Sequence, residues 1–239
     1  MRRFLPMVLL AVALAFGADS GGVDARALAG RWSGHCSWGT AISHNREDYR
    51  LIRALGADKL EVIEWMEGED VPPGGGFVVL AGPTETVAQR TDARTFKGGS
   101  ATLQFSAAKG GPEIVPAESD DACQTMGGDY TLTKDADFGD SRPSFDCARA
   151  KQPRERAICA SPELAFLDQW LSLAYRAAEY RVKSSGASAA TRKEQLRQFH
   201  ADQSTWFSKT LTACQSADCV PPIYRERIKE LDAIEPRGR

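Results

Sequence analysis

Hydrophobic and polar positions follow two different rhythms along the chain. Over roughly the first 140 residues, apolar positions come in short runs bounded by Gly, Pro or Asp, and several runs alternate with period two. Thr102-Leu103-Gln104-Phe105 and Tyr130-Thr131-Leu132-Thr133 are examples. Such alternation predicts half-buried strands. Seven are expected, at Arg31–Ser37, Tyr49–Ala54, Lys59–Trp65, Phe77–Ala81, Thr84–Gln89, Ala101–Ser106 and Tyr130–Thr133. Gly56-Ala57-Asp58 falls between two of them and predicts a hairpin turn. The stretch from Tyr49 to Trp65 also carries a partly helical pattern. Short strands with regular turn signals predict a small antiparallel β-barrel or sandwich.

Beyond residue 144 the apolar positions recur at three- and four-residue steps. Ser161 suits an N-cap and Pro162 the first helical position. Leu164, Leu167, Leu171, Ala174 and Ala178 then form one stripe, which Ser184-Ser185-Gly186 ends. A second stripe runs through Leu196, Phe199, Gln203 and Trp206, and a third through Ile223, Ile228 and Leu231 after Pro221 and Pro222. A shorter turn is expected around Arg154–Cys159. The fold class is therefore α+β in two domains, the second a disulfide-bonded three-helix module. The expected boundaries are 18–134 for the β-rich domain, 135–143 for a polar linker and 144–239 for the helical domain.

The first 17 residues follow a third pattern. Arg2 and Arg3 precede an apolar run from Phe4 to Phe16, and Ala15 and Gly17 are small residues before a cleavage point. This is the pattern of a secretory signal peptide. A run of about 13 residues falls short of the ~20 that span a bilayer. No cysteine lies beside the cleavage point, so a lipid anchor is not expected. The expected location is periplasmic or secreted, with no membrane span after cleavage.

Export changes the reading of the six cysteines, because an even set in an oxidising compartment is most often a disulfide framework. Fifteen pairings are open to six cysteines. Spacing favours Cys36–Cys123, Cys147–Cys159 and Cys214–Cys219. The competing reading is a metal site. It is disfavoured because only one close cysteine pair exists and His35, His44 and His200 are scattered. Neither a metal nor another cofactor is expected.

Composition sharpens the division. The chain has 239 residues and a formal net charge of -2, which argues against a nucleic-acid binder on bulk electrostatics. Residues 18–143 carry a net -8 and residues 144–239 a net +4. Acidic residues gather at Glu61, Glu64, Glu67, Glu69 and Asp70, and again at Glu118, Asp120 and Asp121. Arg149, Lys151, Arg154 and Arg156 form a basic set between Cys147 and Cys159. The sequence lacks a G-x-S-x-G elbow, a phosphate-binding G-x-x-x-x-G-K-[ST], an H-E-x-x-H and a G-x-G-x-x-G. A non-enzymatic binding protein is the expected class. The alternatives are an envelope scaffold or maintenance module, and a hydrolase built on His35 or His44.

The order of features in the second half carries a resemblance. Ser144-Phe-Asp-Cys147-Ala-Arg-Ala opens it. Ala157-Ile-Cys159-Ala-Ser-Pro162-Glu-Leu164-Ala-Phe-Leu167-Asp168 follows, then Leu173-Ala-Tyr175-Arg176-Ala. Gln203-Ser-Thr-Trp206-Phe207 precedes Cys214 and Cys219, and Tyr224-Arg-Glu-Arg227-Ile228-Lys-Glu-Leu231 closes the series. Residues 144–232 thereby resemble the LprI-type lysozyme-inhibitor domain of exported bacterial proteins. One departure is the stretch from Lys209 to Thr212, which lacks the arginine expected before the third cysteine. The resemblance implies a helical, disulfide-bonded module in the cell envelope and a protein partner, lysozyme. A lysozyme cleft holds two catalytic carboxylates. Arg149, Lys151, Arg154 and Arg156, and Gln215 and Ser216 in the loop closed by Cys214–Cys219, are the candidate contact residues. Asp168, Trp206 and Tyr224 are expected to be structural.

Overall fold

The computed structural model describes residues 22–38, 44–69, 77–99, 101–108, 111–116 and 132–234. The signal-like segment, Cys123, the acidic Glu118–Asp121 stretch, Asp70 and Tyr130 lie outside the described residues.

The first half is a closed antiparallel barrel of eight strands in sequential order. They are β1 (Gly30–Trp38), β2 (His44–Ala54), β3 (Lys59–Glu69), β4 (Phe77–Arg90), β5 (Thr95–Gly98), β6 (Ala101–Ala108), β7 (Gly111–Pro116) and β8 (Leu132–Asp137). β8 pairs with β1 and closes the ring. The β2–β3 hairpin turns at the glycine expected to do so. Gly56 has φ +154°, and the Leu55 N–H donates to the Lys59 carbonyl across the turn. Two expected strands are one. β4 runs through Gly82-Pro83, which reads in sequence as a break. Trp65 opposes those two residues, because Glu64 pairs with Thr84 while Met66 pairs with Ala81. Gly82 has φ +77°, and a Cβ there would lie 2.4 Å from the Glu64 carbonyl oxygen. That position therefore needs glycine. The polar stretch expected as a linker begins inside β8, which extends to Asp137, and continues as a 3-10 turn at Phe138–Asp140.

Trp32, Ile52, Leu60, Val62, Phe96, Leu103, Phe105, Ile114 and Leu132 fill the barrel. A one-turn helix, α1 (Ala25–Leu28), closes one end with Ala25 and Leu28 buried. The Trp32 Nε1–H donates to the Leu28 carbonyl at 2.9 Å. Arg90 fastens this end. Its guanidinium donates to the Val23 and Ala57 carbonyls and to Asp58, and lies over the Phe96 ring.

The second half contains α2 (Pro153–Ala160), α3 (Pro162–Lys183), α4 (Ala189–Trp206) and α5 (Val220–Asp232). Ser161 and Ser188 cap α3 and α4 through their hydroxyls. The described disulfides are Cys147–Cys159 and Cys214–Cys219. No helix among the described residues is long and apolar enough to cross a membrane.

Barrel and helices share a core. Side chains on one strand alternate between the two faces of the barrel wall. On β2 and β3, Ile52, Leu60 and Val62 point inward, while Leu51, Ile63 and Trp65 point outward into the cluster built by Phe166, Leu167, Trp170 and Leu173 of α3. Both faces of these strands are buried at this contact, so apolar residues fall at adjacent positions, as in Leu51-Ile52 and Val62-Ile63. Around this contact lies a set of ion pairs. Glu61, only 3% exposed, meets Arg53 at 2.6 Å and Arg225 of α5 at 3.0 Å. Arg225 also reaches Glu85 at 3.6 Å, and Arg176 of α3 meets Glu67 at 2.9 Å. Arg53 lies over the Phe166 ring and Arg225 over Trp170.

Candidate functional site: a cleft in the helical module

One cavity lies among the helices, away from the barrel contact. It has a volume of about 500 Å³. Its walls come from the Ser144–Arg149 segment, α2, α3, the end of α4 and α5. The local sequence explains its construction. The Cys147–Cys159 bridge ties the opening segment to the end of α2. Gln152 and Glu155 form a capping box at the start of α2, where the Glu155 carboxylate accepts from the Lys151 and Gln152 N–H groups. These two backbone bonds hold the Glu155 carboxyl below the ordinary glutamate value. α4 runs directly into a π-helical turn, Phe207–Leu211, in which the Thr212 N–H reaches back to the Phe207 carbonyl. Such turns often mark functional sites. This one leaves Phe207 half exposed at the cleft.

Asp168 forms the floor. It is buried and accepts three hydrogen bonds, from the Ser144 N–H and hydroxyl on one oxygen and from the Tyr224 hydroxyl on the other. It thus joins the opening segment, α3 and α5. Burial, with the Asp168 charge beside it, drives the Tyr224 phenol far above its ordinary range. The tyrosine therefore stays a donor across the accessible pH range. Trp206 forms a wall, tilted against Tyr224 and covered by Arg227. Arg227 donates twice to the Gln203 side-chain oxygen, at 3.1 and 2.9 Å, which turns the Gln203 amide nitrogen away from it.

The basic set divides. Arg154 is buried on α2, 4% exposed, and lines the cleft with its side chain against the Phe207 ring. Arg149 is exposed and also lines the cleft. Lys151 and Arg156 are exposed outside it, and the Arg156 guanidinium donates to the Lys151 carbonyl. Gln215 and Ser216 are exposed on the Cys214–Cys219 loop, where Gln215 donates to the Thr212 carbonyl and Ser216 to the Cys219 sulfur. They do not line the cleft. Sequence reasoning overlooked the role of Ser144, which no periodicity marks, and the clamp of Arg227 on Gln203, which joins two helices.

Three members of the acidic set of the first half are described with their partners. Glu61 and Glu67 pair with arginines at the barrel–helix contact, and Glu64 pairs with Arg50. These carboxylates form no free acidic face. His200 bonds to Glu179. His35 and His44 are on β1 and β2, and their side chains lie outside the described residues. Among the described residues no group of three or more His, Cys, Asp or Glu is placed to hold a metal ion. No family model, curated protein or solved structure matches the chain.

Proposed function

We propose that the chain is an exported cell-envelope binding protein that inhibits lysozyme by stoichiometric occlusion. The observation that carries this reading is the construction of the 147–159 segment. A disulfide and a capping box hold it, and the acids Asp146 and Glu155 accept from its own backbone. Asp146 accepts from the Ala148 N–H, and Glu155 from two backbone N–H groups. Arg149, Lys151 and Arg156 are left exposed on a braced segment that runs from a 3-10 turn into α2. Cations held in place before contact lose little conformational freedom on binding. They complement a glycan cleft that carries two carboxylates. The likeness of residues 144–232 to the LprI-type domain supports the choice of lysozyme. The periplasm or the cell exterior is the compartment in which both the partner and the disulfides belong.

The test is titration of the oxidised mature chain into a lysozyme cell-wall lysis assay. Saturable inhibition at a one-to-one ratio is expected. Arg149→Gln, Lys151→Gln and Arg156→Gln together should weaken it at least tenfold without moving the unfolding midpoint. Absence of inhibition at low salt across several lysozyme types would overturn the reading and leave an envelope module with another partner.

A further inference from the structure

We propose that the cleft in the helical module binds an organic carboxylate that carries an aromatic or aliphatic group, with Arg154 and Gln203 as its donors. This rests on the cleft alone and is independent of any action on lysozyme.

The first observation is Arg154. It is 4% exposed, yet its guanidinium has no ion pair and no hydrogen bond among the described residues; it lies against the Phe207 ring, 5.8 Å from the guanidinium carbon to the ring centroid. A buried charge without a hydrogen-bonding partner is costly. Its nitrogens are not sealed. The described side-chain nitrogens that are sealed and without a hydrogen bond are Nε of Arg50, which is ion-paired with Glu64, Nε of Arg53 and Nε1 of Trp170. The Arg154 donors are therefore open to the cleft that its side chain lines.

The second observation is a division among the polar groups of the cleft. The deepest acceptor is occupied: Asp168 takes three hydrogen bonds over both its oxygens, while Glu155 and Asp146 each accept from backbone N–H groups through one oxygen. Among the described residues the donors are free. Gln203 spends its oxygen on Arg227, and its amide NH2 has no acceptor there. Neither Arg149 nor Arg154 makes a side-chain hydrogen bond among the described residues. The buried guanidinium of Arg154 and the amide NH2 of Gln203 therefore call for a ligand that brings acceptors to them.

Charge and shape narrow the class. Asp146, Glu155 and Asp168 line the cleft beside Arg149 and Arg154. Two cations among three carboxylates oppose a dianion such as phosphate about twice as strongly as a monoanion, so the local pairing at Arg154 has to carry the binding. A single carboxylate suits them, and a guanidinium receives one through paired N–H donors. The rest of the wall is apolar, from Leu171, Tyr175, Trp206, Phe207 and Leu211. At about 500 Å³ the cavity is of small-ligand size. The half-exposed Phe207 ring offers a face for a ligand side chain.

The probe is N-acetylphenylalanine, titrated into the full oxidised mature chain and followed by tryptophan fluorescence and calorimetry. Saturable binding is expected, at least tenfold tighter than for N-acetylphenylalaninamide, with no competition from inorganic phosphate. Arg154→Gln should weaken binding at least tenfold. Gln203→Glu should do the same, because it replaces the free NH2 with an acceptor while keeping Arg227 paired. If Arg154→Gln fails to fold, as judged by its unfolding transition, Gln203→Glu decides. A peptide with a free C-terminal phenylalanine carboxylate distinguishes the sources. Tighter binding than the probe identifies a chain terminus, weaker binding a free small carboxylate, and both support the site. Equal binding of acid and amide, no saturation by the acid, or unchanged affinity in the folded variants would overturn it.

Discussion

Ile63 points out of the barrel and is nevertheless fully buried, because the helices cover it. Ile63→Ala removes three carbon groups. At ~0.8 kcal/mol for each buried methylene, transfer alone amounts to ~2.4 kcal/mol. The cavity left behind raises the expected loss to ~2.5–4 kcal/mol. Val87 supplies the control. It also faces outward, on β4, but is 51% exposed, so Val87→Ala should stay within ~0.5 kcal/mol. Urea unfolding measures both, read in parallel by helical circular dichroism and tryptophan fluorescence. If barrel and helices are one cooperative unit, Ile63→Ala moves both signals to the same lower midpoint. A loss below ~1 kcal/mol, or a helical transition that stays at its original midpoint, would refute the shared core.

Two further results follow from buried polar groups. Tyr224→Phe deletes one donor to the buried Asp168 carboxylate, and the expected cost is ~1.5–3 kcal/mol by urea unfolding. In an Asp168→Asn background, where a neutral amide oxygen accepts in place of the carboxylate, the same change should cost about 1 kcal/mol less, and strict additivity would show that the charge of Asp168 adds nothing to this bond. Glu85 provides a pH test. Burial first, then the neighbouring Glu61 carboxyl, raises its pKa above the ordinary value of 4.5, against the pull of Arg225 and Arg53. The folded state thus holds this proton more tightly than the unfolded state, and the associated stability declines as pH rises through and above 4.5. Glu85→Gln should therefore raise the urea midpoint at neutral pH and lose that advantage below the ordinary glutamate range. A gain at low pH alone would invert the assignment.

What the sequence made legible was governed by local chemistry. Ser161-Pro162 marks a helix start because an N-cap hydroxyl and a proline at the first position act within one turn, and α3 begins there. The close cysteines Cys214 and Cys219 pair because five residues leave them little choice. Barrel closure was harder to read. β5 has only four residues, and β7 is Gly-Pro-Glu-Ile-Val-Pro, whose glycine and prolines suggest turns. Gly82-Pro83 reads as the end of a strand, but the bulge opposite Trp65 lets β4 continue. Leu51, Ile63 and Trp65 confused the period because their strands are buried on both faces. The site posed the same difficulty. Arg149, Lys151, Arg154 and Arg156 look alike in sequence. Only tertiary packing places Arg154 under Phe207 and leaves Lys151 and Arg156 in solvent.

The same two helices serve both the barrel contact and the cleft, and this determines what counts as the functional unit. On α5, Tyr224 bonds to Asp168 in the cleft, while the next residue, Arg225, pairs with Glu61 on the barrel wall. On α3, Asp168 and Leu171 line the cleft, while Phe166 receives Arg53 and Phe138 from the barrel side. Removing residues before 144 would expose that apolar side of α3 and leave Arg176 and Arg225 without Glu67, Glu61 and Glu85. The geometry of Asp168 and Tyr224 depends on helices that the barrel holds in place. A fragment starting at Ser144 would therefore report on a destabilised cleft, and a loss of binding in it would say nothing about which half touches the ligand. Substitutions at Arg154, Gln203, Lys151 and Arg156 in the whole chain separate the cleft from the exposed segment without disturbing the shared core.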